Sequence, residues 1–456
     1  MENSMTMIHK IPFSELNIWD VKSFFHQADV FSDKHPVVLF GEFLTKPQIE
    51  KIKIEDTGEY KILGARSYGK GVFVNRIVKG STLKMRTYQQ AKENHLFWCK
   101  VDTKNGAFGI ITSDLADGVG SSNMAFAKIE TEKANPEYLQ ILFKSKKVNE
   151  YMDGYVSGTT NRKYIKPDQL RNEIRIPLPD IIKQNIILEE FKEKINLAKS
   201  QESKVITLEE EIESYLYSVL GIKKIVKSPR KKVFRTINFK EVDRWAVDSL
   251  GRKVKIEENF QGKFPLVKLG ELINSLQYGL SEKSSKEIIG PPMLRMNSID
   301  NSELILNNLK YIKIDEKTFL KYKLNKGDLL FNRTNSKELV GKTAIFNSDK
   351  DFTFASYLIR VVINENKADR DYVNYLFNSS ILQYQKDLVS RQITGQANIN
   401  SIEMQDFLFP LPDIEIQNKI STHISSLKSE IRDLKESAKH NRKLAIKEFE
   451  KEIFRG

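Results

Sequence analysis

The chain repeats itself. Phe13-x-Glu15-x-x-x-Trp19-x-Val21 returns as Phe239-x-Glu241-x-x-x-Trp245-x-Val247, 226 residues later. HPVVLFGEFL, with Pro36, Val38, Gly41 and Glu42, is answered at an offset of 229 by FPLVKLGELI, with Pro265, Val267, Gly270 and Glu271. PLPDIIKQNII from Pro177 is answered by PLPDIEIQNKI from Pro410, at an offset of 233. Three pairs in the same order, with an offset that creeps upward as small insertions would make it, exclude chance. A repeat of this length is far beyond a solenoid unit, so the 456 residues are two tandem copies of one domain plan.

Each half has the same internal order. Short β-rich runs come first, for example KYIKI (310–314), GDLLF (327–331) and SYLIRVVI (356–363). Short helices follow, one of them announced by Asn135-Pro136, a polar cap before a proline at the first helical position. Each half then closes on a long helical pattern after Pro-Leu-Pro-Asp, where Asp180 and Asp413 are expected to cap. From Asp180 to Leu220 neither proline nor glycine interrupts, and Gly221 stands where a C-terminal cap belongs. Phe191, Ala198, Val205, Ile212 and Val219 recur at sevens, supported by Ile195, Leu208, Tyr215 and Leu216. Ile420, Leu427 and Leu434 do the same in the second half, as do Ile424, Ile431, Ala438 and Ala445. Sustained sevens bring one narrow stripe to a partner helix. The expected fold is therefore mixed α/β (α+β) domains in tandem, each followed by a long helix, with the two helices paired as an antiparallel coiled coil. The expected boundaries are a first domain at 1–179, a central helix at 180–220, a linker at 221–235, a second domain at 236–412 and a C-terminal helix at 413–456. At 1.5 Å per residue each helix would be about 60 Å long, enough to act as a ruler between the globular parts.

Charge is distributed unevenly. Lys and Arg number 73 against 60 Asp and Glu, a net charge of +13. The two long helices carry 15 basic and 17 acidic side chains, so the remainder of the chain is at +15. Seven of the basic residues crowd the linker GIKKIVKSPRKKVFR, which contains no acid. An anionic partner follows from this balance, and contacts to phosphates would make its binding steeply salt-dependent. One cysteine, Cys99, excludes an intramolecular disulfide framework and a Cys-rich zinc module. No apolar run reaches the ~20 residues of a membrane span, and the N-terminus lacks an apolar signal core, so a cytoplasmic protein is expected.

Several motifs imitate chemistry and fail on detail. Gly341-Lys342-Thr343 looks like the end of a phosphate-binding loop, but Ser336 occupies the position of the required earlier glycine. Asn135-Pro136-Glu137-Tyr138 lacks the second proline of an adenine methyltransferase site and reads as a helix start. Gly69-Lys70-Gly71 has Val74 where a dinucleotide fingerprint needs its third glycine. The six histidines and Cys99 show no metal-ligand spacing, and Cys99 in its aromatic run is expected in the core. No catalytic residue and no metal ligand is expected.

The motifs VKLGEL, LRMNSID, LNKGDLLFNRT, VGKTAIF, ASYLIR, TGQANIN and FPLPDIEIQ, in that order across 267–417, resemble a target recognition domain of type I restriction–modification specificity subunits. The first half resembles another branch of the same family through ARSYGKGVFV, FWCKVDTKNGAFGI, SGTTNRKYI and IPLPDIIKQ. It departs at Phe40-Gly41-Glu42, the counterpart of LGE, and shows no clear GDLL equivalent. The resemblance implies a non-catalytic protein in which each half reads one part of a bipartite site on double-stranded DNA. It also implies that the helices set the spacing and dock two adenine methyltransferase subunits, with restriction (motor–nuclease) subunits in the full complex. S-adenosylmethionine would belong to the methyltransferase partner, and this chain would need no cofactor. The alternatives are the specificity subunit of a related modification or phage-defence complex, and a self-contained nucleic-acid enzyme.

Base reading in the major groove needs forked or amide side chains, and phosphate contacts need Lys, Arg, Ser, Thr or backbone amides. Polar, loop-like stretches rich in these types mark candidate DNA contacts. In the first half they are Arg66, Tyr68, Lys70, Lys104, Asn105, Thr160, Asn161 and Arg162. In the second half they are Arg295, Asn297, Arg333, Thr334, Asn335, Lys337, Arg391 and Gln396. Asn161-Arg162 and Arg333-Thr334-Asn335 stand out because each follows a turn signal inside a family-like motif.

Overall fold

The computed structural model describes residues 31–100, 106–155, 165–223, 260–393 and 395–454. The Phe13 and Phe239 motifs and the basic linker from residue 224 lie outside them. The chain divides into two units, the first formed by the residues up to Glu202 together with those from Glu436 onward, the second by Ser203–Lys435.

The first unit opens with β1 (Val37–Leu39), β2 (Leu44–Thr45), β3 (Lys51–Lys53), β4 (Glu59–Ala65) and β5 (Val72–Lys79). β6 (Thr87–Gln90), β7 (His95–Cys99), β8 (Phe108–Ile110), β9 (Val119–Gly120) and β10 (Met124–Ile129) follow. Then come α1 (Pro136–Lys144), α2 (Lys146–Asp153), α3 (Pro167–Glu173), β11 (Arg175–Pro177) and the long α4 (Ile181–Leu220), which continues into the second unit. The second unit runs through β12 (Leu266–Lys268), β13 (Ile273–Tyr278), β14 (Pro292–Leu294), β15 (Ile299–Asp300), β16 (Glu303–Leu304) and β17 (Lys310–Tyr311). α5 (Glu316–Tyr322), β18 (Leu329–Asn332), β19 (Thr334–Asn335), β20 (Thr343–Ile345), β21 (Thr353–Phe354) and β22 (Leu358–Ile363) come next. It ends with α6 (Arg370–Asn378), α7 (Ser380–Val389), β23 (Arg391–Ile393), β24 (Gln396–Asn398), α8 (Ser401–Gln405), β25 (Leu408–Pro410) and the long α9 (Ile414–Ile453). Of the expected run KYIKI only Lys310–Tyr311 pairs as a strand.

Both units are built on the same antiparallel four-stranded sheet, ordered β2-β10-β7-β8 in the first and β13-β22-β18-β20 in the second. A two-stranded pair, β1 with β11 and β12 with β25, brings the start of each unit against its end. Beyond this common frame the units differ. The first adds the sheet β3-β6-β9-β4-β5, and the second adds β17-β14-β21, β15-β16 and β19-β24-β23.

The GDLL segment that the sequence fails to show in the first half is present in three dimensions as Asn94-His95-Leu96-Phe97. Asn94 takes the left-handed turn (φ 57°) that Gly327 takes in the second half (φ 92°). Asn94 N donates to the Ile111 carbonyl at 3.0 Å, as Gly327 N donates to Phe346 at 2.9 Å. The returning bonds, Ile111 N to His95 and Phe346 N to Asp328, match as well. Asparagine tolerates this conformation with its short polar side chain, which hides the equivalence from a residue-by-residue comparison. Alternation along the strand then repeats. Leu96 and Trp98 face α1, through Tyr138 and Phe143, as Leu329 and Phe331 face Tyr372 and Phe377. Phe97 and Leu330 point to the opposite side into smaller clusters. Withdrawing each such large apolar side chain from water contributes roughly 1.5–3 kcal/mol.

The repeated Pro-Leu-Pro-Asp-x-x-x-Gln is a clamp. Gln184, fully buried, accepts from Asn135 N at 2.7 Å and donates to the Lys133 and Pro179 carbonyls. Gln417 accepts from Asp369 N at 2.8 Å and donates to Pro412. The first turn of each long helix is thus tied to the residue that caps a short helix packed on the four-stranded sheet, Asn135 for α1 and Asp369 for α6. Asp180 caps α4 by accepting from Lys183 N at 2.9 Å. Gly221 (φ 66°) ends it, with Ile222 N donating to Tyr217 and Gly221 N to Ser218, the double closure that a left-handed glycine permits.

Helices α4 and α9 pair antiparallel. Lys194 meets Glu448, Glu202 meets Arg442, Lys204 meets Glu430 and the Tyr215 ring packs tilted against His423, so partner numbers fall as α4 advances. The sevens form the seam. Ala198, Val205, Leu208, Ile212 and Leu216 are buried, as are Ile420, Ile424, Ile431, Ala438 and Ala445. The exposed ion pairs contribute little and serve to fix register.

Candidate nucleic-acid interface

In the first unit β4 and β5 form a hairpin paired from Glu59–Lys79 to Ala65–Val72. Its tip is the Arg66–Gly71 segment. The tip turns through Tyr68, Gly69 and Gly71, all at positive φ. Gly69 is pressed so closely on the Phe143 carbonyl that no side chain could stand there. Gln140 of α1 donates to Gly69 O at 2.6 Å while accepting from Ile110 N, and Gly69 N donates to Gly106 O. These bonds hold the tip against the body of the unit and leave Arg66, Tyr68 and Lys70 exposed. The Arg66 guanidinium lies 4.7 Å from the centre of the Phe73 ring, and the Lys70 ammonium lies over Tyr68. Gly64 makes the stack possible, because the ring of its cross-strand partner Phe73 occupies the space a side chain would take. Lys104, Asn105, Thr160, Asn161 and Arg162 lie outside the described residues.

The second unit gathers its candidates differently. Arg333, Thr334 and Asn335 were expected on an exposed loop, yet all three are half-buried and the last two form β19, paired with β24. Thr334 donates to Asn398 Oδ1 at 3.1 Å. Asn332 and Asn335 both donate to the Met296 carbonyl and thereby pin the turn that carries Arg295 and exposed Asn297. The Arg333 guanidinium sits 4.9 Å from the centre of the Tyr278 ring and donates a long bond, 3.4 Å, to the Ser356 carbonyl. Its Nε is buried without an acceptor among the described residues. The Tyr278 hydroxyl accepts from Ser401 N at 3.0 Å, so the ring is anchored at its far end to the start of α8. Arg391 and Gln396 were also expected on a loop and lie instead in the β23–β24 hairpin, which turns at Gly395 (φ 82°) with open space around it. Gln396 and Lys337 are exposed. Phe73, Tyr278, Gln140 and Asn332 escape sequence reasoning, because an aromatic or amide side chain gives no local signal of the cross-strand neighbour it supports.

The motifs that imitate catalysis are structural. Gly341 (φ 78°) is the turn before β20, and Asn135 caps α1 by accepting from Glu137 and Tyr138 N. Cys99 is half-buried at the end of β7. Among the described residues no group of three or more His, Cys, Asp or Glu is placed to hold a metal. No described helix is long and apolar enough to cross a membrane.

Residues 255–442 match the family described as the type I restriction modification DNA specificity domain. The match covers about two fifths of the chain, nearly all of it in the second unit. The chain is 30% identical over 183 residues to the specificity subunit assigned to the type I restriction enzyme MjaX of Methanocaldococcus jannaschii, covering 37% of this chain and 42% of that protein. It is 23% identical over 275 residues to the type I restriction enzyme EcoKI specificity subunit of Escherichia coli, covering 60% of this chain and 54% of that one. The chain thus spans about half the length of the curated relatives it matches. A chain solved in work on complex assembly and conformational transition of the type I restriction–modification system shares its fold. The TM-score is 0.56 at 13% identity, over 92% of this chain and 97% of that chain.

Proposed function

We propose that this chain is the sequence-reading subunit of a type I restriction–modification complex. Each unit reads one part of a bipartite site on double-stranded DNA, and the paired helices α4 and α9 set the distance between the parts. The reading is supported by the duplication itself, two copies of one frame each continuous with one of two antiparallel helices, in a chain whose residues 255–442 match the specificity-domain family. The candidate contacts are those at the β4–β5 tip and around Arg333, together with Lys104, Asn105, Thr160, Asn161 and Arg162, which lie outside the described residues. The positive balance outside the helices suits phosphates.

The chain does no chemistry in this reading. Two methyltransferase subunits that hold S-adenosylmethionine dock on it, each flipping a target adenine from the duplex, and restriction subunits join the full complex. The complex works in the cytoplasm. Expression with its methyltransferase subunit, followed by mapping of methylated adenines in host DNA, tests the proposal. One bipartite motif with a fixed gap is expected. Methylation or cleavage by the purified chain alone would refute the accessory role.

A further inference from the structure

Among the described residues, two arginines at candidate reading surfaces lie over aromatic rings, Arg66 over Phe73 at 4.7 Å and Arg333 over Tyr278 at 4.9 Å. They do not occupy equivalent positions in the repeat. Arg66 follows β4 of the five-stranded sheet, whereas Arg333 follows β18 of the common frame. The same device is therefore built twice from different strands, on surfaces where the two units otherwise diverge.

The device has a definite chemical effect. A guanidinium is a planar fork of donors, and a ring beneath it fixes the plane while leaving the outer N–H edge free. Around Arg333 the fixing is strong. Tyr278 is tied at its hydroxyl to Ser401 N, Nε is buried, and among the described residues one long bond to Ser356 engages the terminal nitrogens. Around Arg66, Gly64 clears the space in which Phe73 lies, and the guanidinium meets no carboxylate among the described residues. The outer edge of such a fork matches the O6 and N7 acceptors of guanine in the major groove.

We infer that each unit reads a guanine through its aromatic-backed arginine, and that Phe73 and Tyr278 are the positioning residues that make each fork specific. The inference rests on the proposed reading of bipartite duplex DNA. Each half-site then contains at least one guanine whose recognition depends on one ring only.

The test uses the full chain with its methyltransferase subunit and duplexes carrying the mapped motif, with each guanine replaced in turn by 7-deazaguanine or by another base. Tyr278→Leu should lower discrimination roughly ten- to a hundredfold at one guanine of one half-site, the range a bidentate contact supports. Phe73→Leu should do so at a guanine of the other half-site. Tyr278→Phe keeps the ring and should retain most of the discrimination. Arg333→Lys keeps the charge without the fork, so it should lose discrimination at the same guanine while the salt dependence of binding persists. It also covers the case in which Tyr278→Leu fails to fold. Arg333→Ala should act on the same half-site. A uniform loss at all sequences, or unchanged discrimination in folded variants, would overturn the inference alone. A wild-type complex that binds every duplex equally would overturn the underlying reading and the inference with it.

Discussion

Replacing Lys386 by methionine should stabilise the second unit, by an amount that depends on pH. Lys386 lies in α7, is fully withdrawn from solvent, and donates to the Phe377 carbonyl at 2.7 Å. Burial, with Lys342 nearby, pushes its ammonium down from the ordinary 10.5 to about 7, while Asp387 and Glu213 offset a smaller part. In the first unit the matching position on α2 is Met152, also buried, so an apolar side chain of similar length suits this place in the frame. Each unit of pKa depression corresponds to about 1.4 kcal/mol, which puts an upper bound of about 5 kcal/mol on the penalty of keeping the lysine charged. Exchange of buried charged groups for apolar ones commonly yields about 1–4 kcal/mol, and we expect about 1–3 kcal/mol here at pH 6. Below pH 7 the folded and unfolded lysines are both protonated and the full penalty is present. Between pH 7 and 10.5 the unfolded chain keeps the proton that the folded one releases, so wild-type stability from this group rises with pH. Thermal unfolding of parent and Lys386→Met at pH 6 and pH 9 checks this as a difference in Tm at each pH. The variant should gain most at pH 6 and much less at pH 9. A variant that is less stable at pH 6, or a gain independent of pH, would refute the argument.

Other perturbations probe the remaining links. Deleting one heptad from both α4 and α9 removes about 10 Å of helix and should shorten the gap between half-sites by about three base pairs, leaving the half-sites unchanged. Methylation mapping reads the result, and an unaltered gap would remove the ruler. Gln184→Ala strands the Asn135 amide and two carbonyls in a buried site and should cost about 2–4 kcal/mol in urea unfolding. Raising salt from 50 to 200 mM should weaken DNA binding by about a thousandfold or more if six or more phosphates are contacted, and a flat profile would contradict the phosphate role of the basic surface.

Much of this protein was legible because its signals are local or periodic. The sevens in the two long helices, the Gly221 cap and the Asn135-Pro136 start depend on spacing along one helix, and spacing is written in the chain. The duplication, seen only as three collinear motifs, established tandem units with no knowledge of their sheets. Tertiary structure decided what depends on register between distant strands. The left-handed Asn94 stands in for Gly327, a match of backbone shape and hydrogen bonding that residue identity conceals. Thr334 and Asn335, polar enough to suggest an open loop, are half-buried because β24 and the Met296 carbonyl engage them. Which aromatic ring lies beneath which arginine follows from pairings such as Gly64 with Phe73, and from the reach of Tyr278 to Ser401 across 123 residues. A sequence specifies the donors and rings, but packing alone determines which of them meet.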